Sequence, residues 1–258
     1  MGVMMKDLID KCLYNWIGYG NFDGDIWFIG MEEGGAEIWR EGIATLTLEE
    51  SLKIRSEFSY CCDFRNVWED LYRIHLNDFK KITTWHFISA FLLALNGEEV
   101  DEINIKKMLF ENNTLGTLDG SHFLCELLPL PKKSEEDFPY IERWKNKQEY
   151  LADVIEKRFT LISEQIESSA GARLIIVYDK EAQKQISKKW GDLFANTKIY
   201  EFCNNGKRAQ KFTKYITKIS GKERVFVFTP FFGNGRISYR GIKKAVEEFQ
   251  LYPDIFLH

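Results

Sequence analysis

Short apolar segments of strand length alternate along this chain with segments whose apolar residues recur at helical spacing. Strongly apolar strands are predicted over residues 25–30, 122–128, 173–178 and 225–228, and a weaker one over 198–202. Helical patterns are predicted over 4–18, 36–57 with one break, 64–76, 82–95, 139–169 as one helix or two, 179–190, 206–219 and 238–250. Strands that alternate with helices form a mainly parallel sheet with helices on both faces. The pattern therefore predicts a three-layer α/β/α fold around a central, mainly parallel sheet of about four strands.

The sequence shows no internal repeat, no low-complexity segment and no clear linker, so we expect a single domain over residues 1–258. Its formal net charge is −4, which argues against tight non-specific DNA binding by the whole surface, although a local basic patch could still bind phosphates. No apolar segment reaches the length of a membrane span, and Lys6, Asp7 and Asp10 rule out a signal-peptide core. We therefore expect a cytoplasmic monomer that does not bind membranes.

The cysteines and histidines give no sign of a metal site. The 5 cysteines include no CxxC pair, and the 4 histidines form no HExxH pattern. His86 stands in the apolar helical segment 82–95, where a histidine packed in the core is favoured over a ligand. We predict that the protein uses neither a metal nor another cofactor.

The first strong strand runs into an acidic, glycine-rich turn, in the sequence DIWFIGMEEGG from Asp25 to Gly35. Ligands bind at the carboxyl ends of parallel strands, and glycine lets a backbone approach a ligand closely. A glutamate held there can activate water or stabilise a developing cation. The alternative is a strand, a turn and an acidic helix start, since Glu is favoured near helix N-termini.

Two further strand ends carry polar groups. Glu126 lies near the carboxyl end of strand 122–128, where a carboxylate is costly unless it is paired or functional. Two interpretations account for this carboxylate. It binds a ligand, or it has a lysine or arginine partner or lies on a face open to water. Strand 225–228 runs into the polar and aromatic loop TPFFGNGR at residues 229–236, which leads to the last helix.

Six motifs along most of the chain resemble those of the uracil-DNA glycosylase superfamily. They are FIGMEEG at 28–34, FS at 58–59, RNVWEDL at 65–71, ELL at 126–128, VYDKEAQK at 177–184, and TP at 229–230 with residues 236–241 downstream. The resemblance lies in the order and spacing of the motifs rather than in overall identity. It implies the fold of that superfamily and hydrolysis of the N-glycosidic bond of a base flipped out of DNA.

The resemblance assigns roles to individual residues. It makes Glu32 and Thr229 catalytic, the carboxylate positioning water and stabilising the sugar cation, and the hydroxyl stabilising the leaving base anion. The base-binding residues that it implies are Gly30, Met31, Phe58 and Glu126. Among these, Phe58 would stack on the base and Glu126 would read the base edge.

The same resemblance implies that the loop after the last strand enters the DNA. Phe231 or Phe232 would fill the space that the flipped base leaves, and Asn234 belongs to the same loop. Arg236 and Arg240 could contact phosphates or could pair with acids such as Glu247.

Several positions depart from the motifs of the superfamily. Met31 stands where some branches have the acid or amide, and the branch with Asp aligns with Glu32, which is one methylene longer. Thr229 replaces the motif histidine and can donate a hydrogen bond but never carries a positive charge. Glu126 replaces the base-reading asparagine, and an ionised Glu only accepts hydrogen bonds. Uracil is therefore a poor fit, and a base that presents an exocyclic amine or a ring N–H fits better.

A basic segment follows the weaker strand. Four of its lysines fall on one face of the helix predicted over 206–219, namely Lys207, Lys211, Lys214 and Lys218. Phe212 and Tyr215 are interleaved with them. The segment is either a solvated helix face or a surface that binds phosphates and makes affinity fall with salt.

Three functions are compatible with these observations. The first is a glycosylase that acts on a modified or mismatched base in single-stranded or damaged duplex DNA. The second is a protein of the same fold that binds nucleic acid or a nucleotide without turnover, which the residues at Thr229, Glu126 and Met31 favour. The third is another α/β enzyme acting on a small nucleoside or nucleotide, although no GxxxxGK[ST] or GxGxxG motif follows a strand.

Overall fold

A computed structural model describes residues 2–32, 34–79, 82–133, 138–203, 209–233 and 235–252. Its α-helices are α1 (Gly2–Tyr14), α2 (Ala36–Trp39), α3 (Leu48–Ser56), α4 (Phe64–Asn66), α5 (Thr83–Leu95), α6 (Glu102–Lys106), α7 (Lys147–Ser168), α8 (Lys180–Trp190) and α9 (Tyr239–Phe249). Helices α4 and α6 continue as π-helical turns, Val67–Leu71 and Lys107–Glu111. The strands are β1 (Gly18–Gly20), β2 (Ile26–Glu32), β3 (Cys61–Cys62), β4 (His122–Leu128), β5 (Leu174–Val177), β6 (Ala195–Phe202), β7 (Gln210–Ile219) and β8 (Lys222–Phe228).

The fold belongs to the α/β class, as the sequence predicts, and the sheet is larger than expected. Its order is β3-β1-β4-β2-β5-β8-β7-β6. The four central strands β4, β2, β5 and β8 are mutually parallel and correspond to the four strongly apolar segments. The prediction of about four strands thus covers only this centre of an 8-stranded sheet. Strands β1 and β3 are too short to carry a recognisable pattern, the weaker strand predicted over 198–202 forms part of β6, and β7 lies in a segment predicted as a helix.

The prediction of a basic helix over 206–219 is wrong. Residues Gln210–Ile219 form strand β7, which pairs antiparallel with β6 on one side and with β8 on the other. Its aromatic and β-branched residues, such as Phe212 and Ile216, favour a strand. The lysines of this segment therefore share no helical face, and Lys207 lies outside the described residues.

Helices cover both faces of the sheet because successive strand residues point to opposite sides. Phe28, Ile176 and Val227 belong to the core formed with α5 and α9. Trp27 and Ile175 belong to the core formed with α1, α7 and α8. Among the described residues, no helix combines the length and the apolarity needed to cross a bilayer.

A buried arginine joins helix α7 to the sheet close to one of the predicted site residues. The guanidinium of Arg158 is fully buried and donates hydrogen bonds to the carbonyl oxygens of Leu13, Trp16 and Ile17, the last at 2.9 Å. It also reaches the backbone carbonyl of Glu126 at 3.4 Å. This arginine therefore helps to hold β4 in place where the strand approaches its carboxyl end.

Candidate functional site

The parallel strands place their carboxyl ends along one edge of the sheet. The four parallel strands follow one another in the chain as β2, β4, β5 and β8. In the sheet, β4 lies on one side of β2, and β5 and then β8 lie on its other side. The strand order therefore reverses between β2 and β5. In open α/β sheets a crevice for ligands forms at such a reversal, outside the carboxyl ends of the strands.

Gly30, Glu126 and Tyr178 meet at this edge. Gly30 is the register partner of Glu126 on the neighbouring strand. The hydroxyl of Tyr178, directly after β5, donates a hydrogen bond of 2.6 Å to Oε1 of Glu126. A Cβ atom on Gly30 would lie 2.3 Å from both Oε2 of Glu126 and the Tyr178 hydroxyl oxygen. The missing side chain at Gly30 is therefore what lets the carboxylate and the phenol meet above β2.

The ring of Tyr178 is held by aromatic stacking. It lies parallel to the ring of Phe232, with centroids 4.3 Å apart and an interplanar angle of 8°. Phe232 in turn stacks on Phe91 of α5 at 5.6 Å and is 1% exposed. It is a core residue and so does not match the expectation of an exposed wedge, whereas its neighbour Phe231 is 46% exposed.

Glu32 lies at the end of β2 between two lysines. Its carboxylate is 2.7 Å from Nζ of Lys132 and 3.9 Å from Nζ of Lys147, the first residue of α7. Burial lowers the pKa of the Lys132 ammonium below its ordinary value, and Glu32 acts in the opposite direction. The carboxylate thus stands in a partly buried, ion-paired environment at the edge of the sheet.

A cavity of about 500 Å³ opens at this edge, and both Glu32 and Glu126 line it. Its other charged lining residues are Arg40 and Lys133. Aromatic side chains supply much of the remaining wall, namely Tyr19, Trp39, Phe64, Trp68, Trp85 and Phe231. The volume and the mainly apolar wall with a few polar groups are typical of sites for small molecules.

The structure brings together only some of the site residues that the sequence suggests. Glu32, Glu126 and Phe231 line one cavity, and Gly30 lies directly beneath Glu126. Met31 packs against the core on the α7 side of the sheet. Phe58 is buried beside Trp16, with ring centroids 5.6 Å apart. None of the cavity-lining side chains in the described part of the chain is Met31, Phe58 or Phe232.

Thr229 also lies away from the cavity wall. Its side chain is buried, and its hydroxyl donates a hydrogen bond of 2.9 Å to the carbonyl oxygen of Pro230. Its backbone N–H donates to Val177, at the end of β5. The hydroxyl is therefore engaged by its own loop rather than presented to a ligand.

The predicted DNA-binding residues are dispersed. Arg236 is exposed in the turn before α9, and Lys211 is exposed on β7. Nζ of Lys214 donates a hydrogen bond of 2.9 Å to the carbonyl oxygen of Phe249 at the end of α9, and burial lowers the pKa of this lysine. Asn234 and Lys207 lie outside the described residues. The sheet order separates β7 from β2 by β5 and β8.

The sequence patterns did not indicate several residues that lie at this site. Tyr178 follows a strong strand directly, so the rule that singled out Glu32 would also have found Tyr178. Lys132 and Lys147 look like ordinary charged residues of a loop and a helix start. Trp39 and Trp85 are indistinguishable in sequence from core aromatics, and no pattern marks them as cavity walls.

Comparison with models of protein families, with curated proteins and with solved structures found no match to this chain. Within the described ranges, no three side chains of the metal-ligating types converge closely enough to hold a metal ion.

Proposed function

We propose that this protein is a divergent member of the uracil-DNA glycosylase superfamily that binds an everted base of DNA in the cavity and hydrolyses its N-glycosidic bond. The four central parallel strands would correspond to the sheet of that superfamily. The observation that carries the proposal is the pair Glu32 and Glu126, which come from separate strands and line one aromatic cavity.

The cavity wall supports the binding of a flat heterocycle. Base flipping requires a pocket that replaces the stacking lost in the duplex, and aromatic rings provide it. The residue expected to stack, Phe58, is buried in the core. In this proposal the stacking surface is supplied instead by the cavity aromatics, of which Phe231 is exposed.

Glu126 would read the base edge. Because Tyr178 donates to one of its oxygens, the carboxylate has a defined orientation above Gly30. A carboxylate accepts hydrogen bonds, so it suits a base that presents N–H donors and disfavours the carbonyl-rich edge of uracil.

Glu32 would act on the sugar. A carboxylate beside C1′ stabilises positive charge as the glycosidic bond lengthens and can orient the attacking water. Lys132, at 2.7 Å, would hold the carboxylate in one position. The catalytic role of Glu32 in this proposal depends on its charge, which one near-isosteric substitution removes.

The test is base release from oligonucleotides that carry uracil, hypoxanthine, xanthine or an alkylated purine, detected by cleavage of the abasic site. We expect release from at least one substrate, and a loss of about a hundredfold or more in Glu32→Gln. The control is Glu156→Gln, which removes an exposed carboxylate of α7. Unchanged release in Glu32→Gln would remove this residue from the mechanism.

One observation favours a second function, binding without hydrolysis. The hydroxyl of Thr229 is buried and bonded to Pro230, so it does not supply the donor that a leaving base anion requires. This alternative predicts salt-dependent DNA binding with no product from any substrate. It is distinguished from the first by measuring binding and release on the same oligonucleotides.

A further inference from the structure

We propose that the cavity binds a nucleotide through a phosphate monoester, with the base against the aromatic wall and the phosphate beside the lysines at the end of β2. This inference rests on the proposed base-binding function and names the form in which the base is presented. A phosphate monoester occurs in a free nucleoside 5′-monophosphate and at the phosphorylated 5′ end of a strand. It carries about two negative charges at neutral pH, whereas a phosphodiester inside a strand carries about one.

The first supporting feature is an excess of positive charge around Glu32. Two ammonium groups share this one carboxylate, that of Lys132 at 2.7 Å and that of Lys147 at 3.9 Å. Burial lowers the pKa of Lys132, contact with Glu32 raises it, and the neighbouring Lys147 lowers it again. A second anion beside these lysines would favour their charged forms, so the cluster is suited to receive one.

The second feature is the balance of charge at the cavity as a whole. Lys133 and Arg40 line the cavity together with Glu126. With Glu32 and its two lysines, the described part of the chain places four basic side chains and two carboxylates in the wall or directly behind it. The charge of Glu32 is thus more than compensated and does not repel an anionic ligand. An excess of two positive charges complements a phosphate dianion.

The third feature is the order of these groups along the strands. Gly30 pairs with Glu126, and Glu32 pairs with Leu128, two residues further along both strands. Residues two apart on a strand point to the same face and lie about 6.5 Å apart. A nucleotide has its sugar between its base and its phosphate. The proposed function places the base at Glu126 and the sugar at Glu32, so the phosphate falls beside the lysines that surround Glu32.

Lys133 is the lysine that a bound phosphate can contact directly. It is exposed and lines the cavity, whereas Lys132 is buried against Glu32. Replacing Lys133 therefore removes a phosphate contact without opening the core, and surface substitutions of this kind change stability little. This makes Lys133 the residue on which the inference is tested.

The first experiment compares 2′-deoxyinosine with 2′-deoxyinosine 5′-monophosphate, whose base carries a ring N–H, by titration calorimetry. We expect the wild-type protein to bind the monophosphate about tenfold tighter or more, because hydrogen bonds from lysine to phosphate are charge-assisted. Lys133→Ala should reduce this ratio to about threefold, whereas the control Lys211→Ala, which removes an exposed lysine of β7, should leave it unchanged. Thermal unfolding checks that both variants are folded.

The second experiment distinguishes the two sources of the monoester. Two oligonucleotides of equal length and charge both carry a 5′ phosphate, and hypoxanthine on a 2′-fluoro sugar, which resists hydrolysis, stands at the 5′ end of one and in the middle of the other. We expect the terminal base to be bound about tenfold tighter or more. The comparison with the larger gain identifies the source, a free nucleotide or a strand end.

The inference is overturned if neither comparison shows a gain from the monoester, or if the gain is as large in Lys133→Ala as in the wild type. Binding of the internal base, or release of any base in the assay of the proposed function, then leaves that function standing. If the protein binds none of the four probes and releases no base, the proposed function is overturned, and this inference with it.

Discussion

Gly30 shows how a single missing side chain can shape a site. The Gly30→Ala substitution would place a methyl group 2.3 Å from two oxygen atoms, those of Glu126 and Tyr178, so the hydrogen bond between them must break. If the proposed function is right, affinity for the oligonucleotide that the wild type binds should fall about tenfold or more, and the free energy of unfolding should fall by about 1–3 kcal/mol in any case. Fluorescence binding and urea titration measure the two quantities.

The matched control for this prediction is Gly191→Ala. A Cβ atom at Gly191 meets only Ser187, at 4.0 Å, and its backbone is already helical, so alanine fits without strain. If Gly30→Ala binds DNA as well as Gly191→Ala does, the carboxylate above β2 has no part in base recognition.

His122 makes stability depend on pH. It is buried, its Nε2 accepts a hydrogen bond of 2.9 Å from the backbone N–H of Gly116, and burial lowers its pKa from 6.5 to about 4. The unfolded chain therefore binds a proton at higher pH than the folded one, and stability is lost as the pH falls below about 6.5. The loss from this group is about 2 kcal/mol at pH 5 and about 3 kcal/mol below pH 4.

Urea unfolding between pH 7 and 4 measures this effect, with His122→Gln as the test variant. An amide does not titrate, so the variant should lose stability less steeply with falling pH than the wild type. The exposed His75 offers a control substitution, His75→Gln, that removes an imidazole without opening the core. If the free energy of unfolding falls equally steeply with pH in the wild type and in His122→Gln, this pH dependence does not come from His122.

At the level of single residues, sequence analysis singled out the two acids that line the cavity but did not identify the residues around them. Glu32 and Glu126 follow from one physical rule, that polar groups at the carboxyl ends of parallel strands share an edge. The roles assigned to Phe58 and Thr229 depended on the resemblance of motifs, which does not determine where a side chain points. The contact of Tyr178 with Glu126 and that of Lys132 with Glu32 depend on which strands lie side by side. A pattern along the chain does not contain this information.

At the level of elements, the basic segment shows why spacing alone misleads. Lys207, Lys211, Lys214 and Lys218 recur at intervals of three and four, which fits a helix. Gln210 and Phe212 nevertheless alternate with exposed Lys211 as strand residues do, and pairing with β6 and β8 decides the outcome. In a short segment the two periods are hard to separate, and the residue types favour the strand.

Arg158 connects α7 to the end of α1 and to the sheet. Its guanidinium is fully buried and bonded to backbone carbonyls, and burial lowers its pKa to about 10, so it stays charged at neutral pH. Arg158→Leu would leave the carbonyl groups of Leu13 and Ile17 buried without a donor. We expect the free energy of unfolding to fall by about 3 kcal/mol or more.

The control for Arg158 is Arg65→Leu. Arg65 forms a partly exposed ion pair with Glu69 one turn along the helix, and pairs of this kind contribute under about 1 kcal/mol. Urea titrations of the two variants under the same conditions make the comparison. Equal losses in the two variants would show that the buried hydrogen bonds of Arg158 contribute no more to the free energy of unfolding than a partly exposed ion pair does.

At the level of the whole molecule, the strongest apolar segments form the parallel centre, and the sequence reveals only part of what is added at its edges. Strand β1 lies antiparallel to β4 and has only 3 residues. The β6–β7 pair extends the other side. Strand β1 depends on long-range pairing and leaves little local signal, whereas β6 contains the weaker strand predicted over 198–202 and pairs with β7, which follows it in the chain. The cavity likewise joins residues from 19 to 231 along the chain, so its shape arises only from tertiary structure.

If the protein has the proposed function, the position of the cavity in the sheet predicts which lysine contacts DNA. Lys133 is exposed and lines the cavity, whereas Lys211 is exposed on β7, separated from β2 by two strands. If the base enters the cavity, flanking phosphates lie near Lys133. Lys133→Ala should then weaken binding and reduce the slope of log affinity against log salt by about 1, because one fewer counterion is released.

Lys211→Ala serves as the matched control, since it removes the same charge from another exposed position and should change affinity and slope less than Lys133→Ala does. Both substitutions are at the surface and should alter the free energy of unfolding by at most about 0.5 kcal/mol. A larger salt effect from Lys211 than from Lys133 would place the DNA on the β6–β7 side of the sheet. That outcome would contradict a base-binding site whose flanking phosphates lie beside Lys133.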